Sequence, residues 1–573
     1  MLRQSKSQNR LVWWRVLALI CSVVLSSAAG QSPVDLPIQH WKRLPFGTTA
    51  TGSVYVPLDN WVYQAFDRLI AWGYIDSAFT TMRPWTRLRC VQMLQGAEDR
   101  FEETHVDSEA RSVFDALRTE FERDYIAATR DHPSPHAELD SLYERSLGIA
   151  GTPLNDSFHF GQSLINDYGR PFQQGFNQIA GFSARAEFGR FSLSVGGEYQ
   201  YAPGRGPYSA QAQQAIAVMD NNPPTITGSV PETNVFRLLD ANLSVDLAGN
   251  QISVGKSAVQ WGPGEGGAFA ISDNAEPFYK LRITRVKPVV IPFISRVLGP
   301  MQYDLFLGPL EGHVSPRSPW IQGQNITFKP SVNFEFGVSR TIVFAGEGHV
   351  PLTVGSFWNS FASFSNVPEA VKFSRNDPGA RYSTFDFTYR IPFVRNWLTV
   401  YCDAIAHDDV SPLSAPRRSG FRPGIFLAKI PGTTGLDFRA EAVYTDFPTS
   451  RSHGGQFFFY ESAYHDAYVN KQFVLGDWIG RESKGGQAWL TYHRSPQEMI
   501  QITYRNAKAA SDFVPGGTTQ NAIGLNLVER LHQHIELDIF SQLEFWKAPI
   551  LARGLQNDVA LGLMFRWFPK LGR

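Results

Sequence analysis

From about residue 136 onward, apolar and polar residues alternate with a period of two, and the alternation persists for roughly 430 residues without a helical interlude. In "GFSARAEFGRFSLSVGGEYQY" Phe182, Ala184, Ala186 and Phe188 fall on one side and Ser183, Arg185 and Glu187 on the other. Beyond Gly189-Arg190, Phe191, Leu193, Val195, Tyr199 and Tyr201 alternate with Ser192, Ser194, Glu198 and Gln200. Successive side chains of an extended strand point to opposite faces, so this stretch reads as a β-hairpin. The pattern returns at Leu239 to Leu247, at Phe334, Phe336 and Val338, and at Phe385, Phe387 and Tyr389. It appears again at Leu436 to Tyr444, Ile535 to Phe545 and Val559 to Trp567.

The opposite face decides what surrounds these strands. It carries Glu187, Glu198, Asp246, Asp304, Glu335, Asp386, Asp403, Asp437, Glu441, Glu536, Asp538 and Glu544, with Arg185, Arg390, Arg439 and Arg505. A soluble sandwich accommodates any one such strand, its charges facing water. It does not account for the combination with an export signal and with aromatic clusters near strand ends, such as "FRWF". Residues 1–30 have basic Arg3, Lys6, Arg10 and Arg15, the apolar run "VLALICSVVL" and then "SSAAG", the layout of a cleaved signal peptide. An exported chain of alternating strands is expected to close into a membrane barrel, because an open sheet edge cannot face hydrocarbon. At ~24 residues per strand and its loops, the fold class is mainly β: a closed antiparallel transmembrane β-barrel of about 18 strands.

A different period governs residues 54–128. "LDNWVYQAFDRLIAWGY" places Val62, Phe66, Leu69 and Ile70 on one helical face, with Asp59 as the expected N-cap. Pro84 is expected in the first turn of a second helix bearing Leu88, Val91 and Leu94. A third follows "VDSEARSVFDALRTEFERDY". Three amphipathic helices predict a small helical bundle. The expected domains are thus a signal peptide at 1–30, a periplasmic helical domain at 31–135 and an outer-membrane barrel at 136–573.

Composition narrows function. Lys+Arg and Asp+Glu both number 53, so charge points neither to nucleic acid nor to a strongly anionic partner. Cys90 and Cys402 fall in segments of different character, and two free thiols are expected rather than a disulfide scaffold. H-E-x-x-H, G-x-S-x-G and C-x-x-C are missing, and "GPGEGG" has no following Lys-Ser/Thr to cradle phosphate. His532 and His534 stand two apart, where a strand would point both the same way; such pairs more often occupy a solvated turn. No catalytic residue, metal or cofactor is assigned, and no enzyme is expected.

"WGPGEGGAFAISDNAEPF", residues 261–278, is a long excursion between two strands. Gly262, Gly264, Gly266, Gly267 and Pro263 set tight bends and allow close backbone approach. Trp261, Phe269 and Phe278 offer apolar faces, while Glu265, Ser272, Asp273 and Asn274 offer donors and acceptors. Flat rings beside short polar groups suit sugars, whose CH faces stack and whose hydroxyls need partners. A folded-in plug that closes the pore is the alternative reading. "GSFWNSFASFSN", with Phe357, Trp358, Phe361 and Phe364, and "GGQFFFYESAYHDAYV", with Tyr460, Tyr464 and Tyr468, serve equally as glycan platforms or as interfacial girdles. Candidate polysaccharide contacts are therefore Trp261, Glu265, Asp273, Asn274, Trp358, Phe361, Tyr460 and Tyr464, with Gly262, Pro263, Gly264 and Pro277 shaping the loop.

The 261–278 stretch followed by "LRITR" resembles the signature of the capsule assembly protein Wzi family. "VYVPLDNWVYQAFDRLIAWGYI" with "MRPWTR", and "YESAYHDAYVNKQFVLGDWIG", are similar to that family too. The resemblance implies a barrel of about eighteen strands with a helical periplasmic domain, anchoring capsular polysaccharide at the cell surface as a lectin does. The expected partners are capsular or other extracellular polysaccharide and outer-membrane lipid. Contact with export machinery through the helical domain is a further expectation, and a monomer is the expected state. A porin-like or polysaccharide-export channel is the rival function; a membrane-embedded hydrolase ranks third.

Overall fold

The computed structural model describes residues 52–102, 106–129, 135–221, 228–363, 368–408, 411–449, 456–466 and 468–569. The signal-peptide segment and Phe364 lie outside the described residues. Eighteen long strands follow in chain order: β1 His136–Ala150, β2 Gly175–Phe188, β3 Phe191–Ala202, β4 Thr233–Leu247, β5 Asn250–Lys256 and β6 Tyr279–Arg285. The series continues with β7 Met301–Pro309, β8 Trp320–Phe328, β9 Phe334–Phe344, β10 Ala380–Arg390, β11 Leu398–His407 and β12 Ser419–Leu427. It ends with β13 Leu436–Tyr444, β14 Ser483–Ser495, β15 Glu498–Ala509, β16 Thr518–His532, β17 Ile535–Lys547 and β18 Gln556–Trp567. Consecutive strands pair antiparallel, and β1 also pairs with β18, Leu142 opposite Trp567. The sheet is thus a closed barrel with no edge, as the period of two leads one to expect.

The two faces of this wall reverse the arrangement of a soluble protein. Outward Leu243, Val254, Ile502 and Ile523 are 54%, 61%, 52% and 55% exposed, whereas inward Glu198, Asp304, Glu335 and Glu544 are 0% exposed. Apolar side chains are left uncovered on the outside because hydrocarbon covers them in the membrane. Buried carboxylates demand partners, so something other than bulk water fills the interior.

The two ends also differ. At one end the strands are joined by connections of 2 to 15 residues, and at the other by connections of 8 to 38. The N-terminal segment lies at the short-turn end, with α1 Val62–Ala71, α2 Arg87–Gln95 and α3 Ser108–Thr129. The helices share one core with the barrel wall, in which Phe66, Leu94, Phe114 and Phe121 meet Tyr401 and Phe426. The helices are bolted to the turns, Trp72 Nε1 donating to Ala428 O at 3.2 Å and Lys329 Nζ to Ala78 O at 2.6 Å. Two local expectations are corrected. The N-cap of α1 is Trp61, not Asp59, and makes no side-chain cap; Asn60 Oδ1 accepts from Val62 N at 3.0 Å just before it. Pro84 precedes α2, whose N-cap is Thr86, accepting from Arg89 N at 3.1 Å.

Between α1 and α2 the chain rises into the barrel. Thr80 N and Thr81 N donate to Glu335 Oε1 of β9 at 2.7 and 3.0 Å. Met82 and Arg83 then form a two-residue antiparallel strand with Trp261 and Gln260.

Candidate functional site

The partner of that strand belongs to the connection 257–278, which enters from the long-loop end and turns inward. Each step of its descent is held by a charged side chain of the wall. Glu265 N and Gly266 N donate to the Glu441 carboxylate at 2.7 and 3.2 Å, and Phe269 N to Asp403 Oδ2 at 2.7 Å. Trp261 Nε1 donates to Asp304 Oδ2 at 2.9 Å, and Asp304 also takes two hydrogen bonds from Arg282 and one from Thr284 at 2.8 Å. Arg422 binds Glu441, Asp477 and Gln487 together. Acids and bases of the inward face are therefore clamps for the plug. Their signal was the set of opposite charges at alternate strand positions, which becomes specific only once register brings them level.

The glycines follow from this packing. A Cβ at Gly266 would overlap the Gln487 and Arg422 side chains, and Gly262 adopts φ +138°, a conformation L side chains rarely take. The loop lies against the wall backbone-first, so any side chain at these positions would push it off.

A second inward loop, 445–482, lies across the first. Ser272 N donates to Leu475 O at 2.9 Å and Asn274 Nδ2 to Val474 O at 3.0 Å. The connection 151–174 closes over both, with Tyr168 N donating to Asp273 O at 2.7 Å and Gln162 Nε2 to Asn274 Oδ1 at 2.7 Å. A large hydrophobic core thus sits inside the barrel, where Trp261, Phe269, Phe306, Phe459, Tyr468 and Trp478 pack together. Lower in the lumen a cavity of about 20 Å³ remains beside Arg68, Glu265, Arg439 and His493. That is room for about one water.

Electrostatics reinforces the knot at the long-loop end. His159 Nε2 meets Asp220 Oδ2 at 2.7 Å and its Nδ1 meets Asp156 Oδ2 at 2.9 Å, while Arg481 Nη1 donates to Asp220 Oδ1 at 2.6 Å. Burial alone would lower the His159 pKa, but the two flanking aspartates raise it to about 10. Asp273, in the plug, is pushed up to about 7 by burial, with Asp59, Asp167 and Glu265 adding to the shift.

The candidate contacts fall into two groups. Trp261, Asn274, Tyr460 and Tyr464 are at most 3% exposed; Tyr460 OH donates to Asp220 O at 3.0 Å, and the Tyr464 ring packs on His349. Glu265 pairs with Arg439 at 2.9 Å inside the lumen. Asp273 is partly buried beneath the 151–174 connection. These six side chains build the plug. Gly262, Pro263, Gly264 and Pro277 belong to the same inward loop.

Trp358 and Phe361 are different. They lie on a short helix, α4, Val354–Phe361, in the connection 345–379. Thr353 and Ser356 form its capping box. Trp358 is 56% exposed, edge-on to Phe361 at 5.5 Å, while Phe361 is partly buried. Buried Ser360 fixes the helix, accepting from Gln322 Nε2 at 2.9 Å. At the other end, His532 closes β16 and His534 lies in the β16–β17 turn, their rings 5.6 Å apart.

A family model described as capsule assembly protein Wzi matches residues 145–561. Among solved structures, the chain is similar to Wzi of Escherichia coli, described as an outer membrane protein involved in group 1 capsule assembly and a carbohydrate-binding β-barrel. The TM-score is 0.64 at 17% identity, covering 90% of this chain and 100% of that one. A curated relative, an uncharacterized 55.8 kDa protein in the cps region of Klebsiella pneumoniae, is 27% identical over 207 residues. That match spans 35% of this chain and only 38% of the relative's length.

Proposed function

The chain belongs to the Wzi family of capsule assembly proteins, and on that premise we propose that it holds capsular polysaccharide at the bacterial cell surface by non-covalent binding. Its barrel sits in the outer membrane, long loops outward and short turns toward the periplasm, the usual orientation of such barrels. The single observation that carries the reading is the doubly filled lumen: Met82 and Arg83 from one end pair with Trp261 and Gln260 from the other. Among the described residues, segments from both ends thus occupy the lumen, which favours surface binding over a channel. No catalytic step is proposed for it.

Within this reading the helical segment faces the periplasm, where its free side is available to export machinery, and residues 1–30 are the cleaved leader. The protein acts as a monomer. Trp358 is the accessible aromatic among the candidate contacts, with Phe361 beside it. An exposed indole suits the CH face of a pyranose ring. The plug residues support the outer loops from beneath.

The test measures binding of purified capsular polysaccharide to the detergent-solubilised protein, together with retained and shed polysaccharide in cells lacking it. Trp358→Ala is expected to weaken binding by roughly tenfold, about 1.4 kcal/mol, and to shift polysaccharide from the surface into the medium. Unchanged binding would remove Trp358 from the site. Binding no different from that of an unrelated barrel would end the proposal.

A further inference from the structure

At 15 residues, 286–300, the β6–β7 turn is the longest connection at the short-turn end. Its sequence, "VKPVVIPFISRVLGP", carries Lys287 and Arg296 and no carboxylate. Phe293 and Val297 are 76% and 75% exposed, with Val290 and Ile294 exposed beside them.

A strained bend sets Phe293 there. At φ +70° and ψ −52° it is the centre of a γ-turn, Ile294 N donating to Pro292 O at 2.9 Å, a rare conformation for a residue with a bulky side chain. Ser295 braces the bend, its Oγ accepting from Ile291 N at 2.8 Å and its N–H donating to Ile291 O at 2.9 Å. The short helix Ile294–Leu298 follows, with Ile294 and Val297 three apart on one face. Strain that only exposed a ring to water would oppose folding; beside a membrane it presents the ring to an apolar medium.

The turn leaves the wall on its lipid side. Val289 and Met301 are paired by two backbone hydrogen bonds of 2.8 and 2.9 Å. Met301 stands opposite Phe328, whose ring stacks on Phe336 at 5.3 Å, and Phe334 meets Tyr389 edge-on at 6.1 Å. Strand alternation puts all of these on the outward face, opposite to Asp304 and Glu335, and such an aromatic band marks the headgroup level. The apolar surface does not stop at the band. Pro300 O accepts from Lys329 N at 3.1 Å, tying the turn to the β8–β9 turn with its exposed Val332, and in the next short turn, β10–β11, Phe393 is 97% exposed. The polar groups of these neighbouring turns point the other way: Lys329 Nζ donates to Ala78 O and Arg395 pairs with Asp76, both in the helical segment.

We propose that residues 289–298 form a foot that lies in the phospholipid leaflet on the periplasmic side, with Phe293, Ile294 and Val297 among the upper acyl chains. Continuity with the hydrocarbon-facing wall selects lipid as the occupant, and a turn without carboxylates places no negative charge among the phosphates. The Arg296 guanidinium lies over the Phe293 ring at 5.5 Å, so its stem follows the apolar surface while its head reaches the headgroups. The foot rests on the barrel's placement with short turns toward the periplasm and is independent of polysaccharide binding. It would hold the helical segment close against the membrane surface.

Spin labels test it on the full-length protein carrying Cys402→Ala, reconstituted in vesicles of phosphatidylethanolamine and phosphatidylglycerol. Single cysteines are introduced as Val297→Cys and, separately, Phe293→Cys in the foot, Val254→Cys on the outward wall and Gln533→Cys in the polar β16–β17 turn; the Cys402→Ala protein alone gives the background from buried Cys90. Power saturation then compares access to oxygen, which concentrates in hydrocarbon, with access to a nickel chelate, which stays in water. The ratio of oxygen to nickel access at both foot positions is expected to exceed that at Gln533 severalfold and to approach that at Val254. Foot labels as open to nickel as the one at Gln533 would overturn the proposal. So would foot labels screened from both reagents, since protein, either another segment of this chain or a partner, would then cover the turn. A Val254 label open to nickel would instead overturn the membrane placement itself, and the foot with it.

Discussion

Glu441 shows how a lumen carboxylate comes to hold a loop. It accepts from two plug N–H groups, from Tyr401 OH at 2.7 Å and from Arg422 Nε at 2.7 Å, so its charge is fully matched although it is buried. Glu441→Ala would leave Arg422 underbalanced and three donors without acceptors. The expected loss is about 3–5 kcal/mol, as for breaking a buried ion pair from one side, read as a lower unfolding temperature in detergent. His159 carries a pH dependence. Its folded pKa of about 10 lies above the ordinary value near 6.5, so its contribution is complete below about 6.5 and fades as pH rises through about 10. Asp220 is shifted the other way by His159 and Arg481, although burial opposes the shift, and contributes above its ordinary value of about 3.9. Limited proteolysis of the 151–174 and 203–232 connections should therefore be slow at pH 6 and faster near pH 10.5, while in His159→Gln the difference should largely vanish. At this scale the sequence was least informative. Tyr460 and Tyr464 stand in a stretch as aromatic as that of Trp358, and only the folding of 445–482 into the lumen separates buried rings from an exposed one.

The strands were legible because a period of two is imposed on every residue by the chain's own geometry, and lipid on one side keeps the pattern strict. α1 and α3 were legible for the corresponding reason at a period of 3.6. Two positions differ where periodicity carries no information: the N-cap of α1 is Trp61 rather than Asp59, and Pro84 precedes α2 because the chain there is committed to pairing with Trp261. The glycines and prolines of 257–278 permit an inward turn, but its direction is set by Asp304, Asp403 and Glu441 on three separate strands. Replacing 262–278 by a short Gly-Ser turn should leave the wall intact, seen as retained heat-modifiable migration on gels. Cells producing this variant should become sensitive to large hydrophilic antibiotics that the wild type excludes. An unchanged exclusion limit would mean that 445–482 and the N-terminal rise suffice to block the lumen.

Across the whole molecule one inversion explains both membrane residence and closure. Apolar residues cover the outside, and charged ones line an interior that protein segments fill from both ends. The two fillings meet in a two-residue strand pair, so helices at the short-turn end and loops at the long-loop end are joined through the barrel. What remains accessible at the cell surface is loop, and a glycan has only that surface to engage. The most direct test is single-channel recording on the purified full-length protein in a planar bilayer. A filled barrel should give no steady conductance above the bare membrane at any salt concentration, whereas long-lived steps that grow with salt, as from an open eighteen-strand pore, would contradict the account.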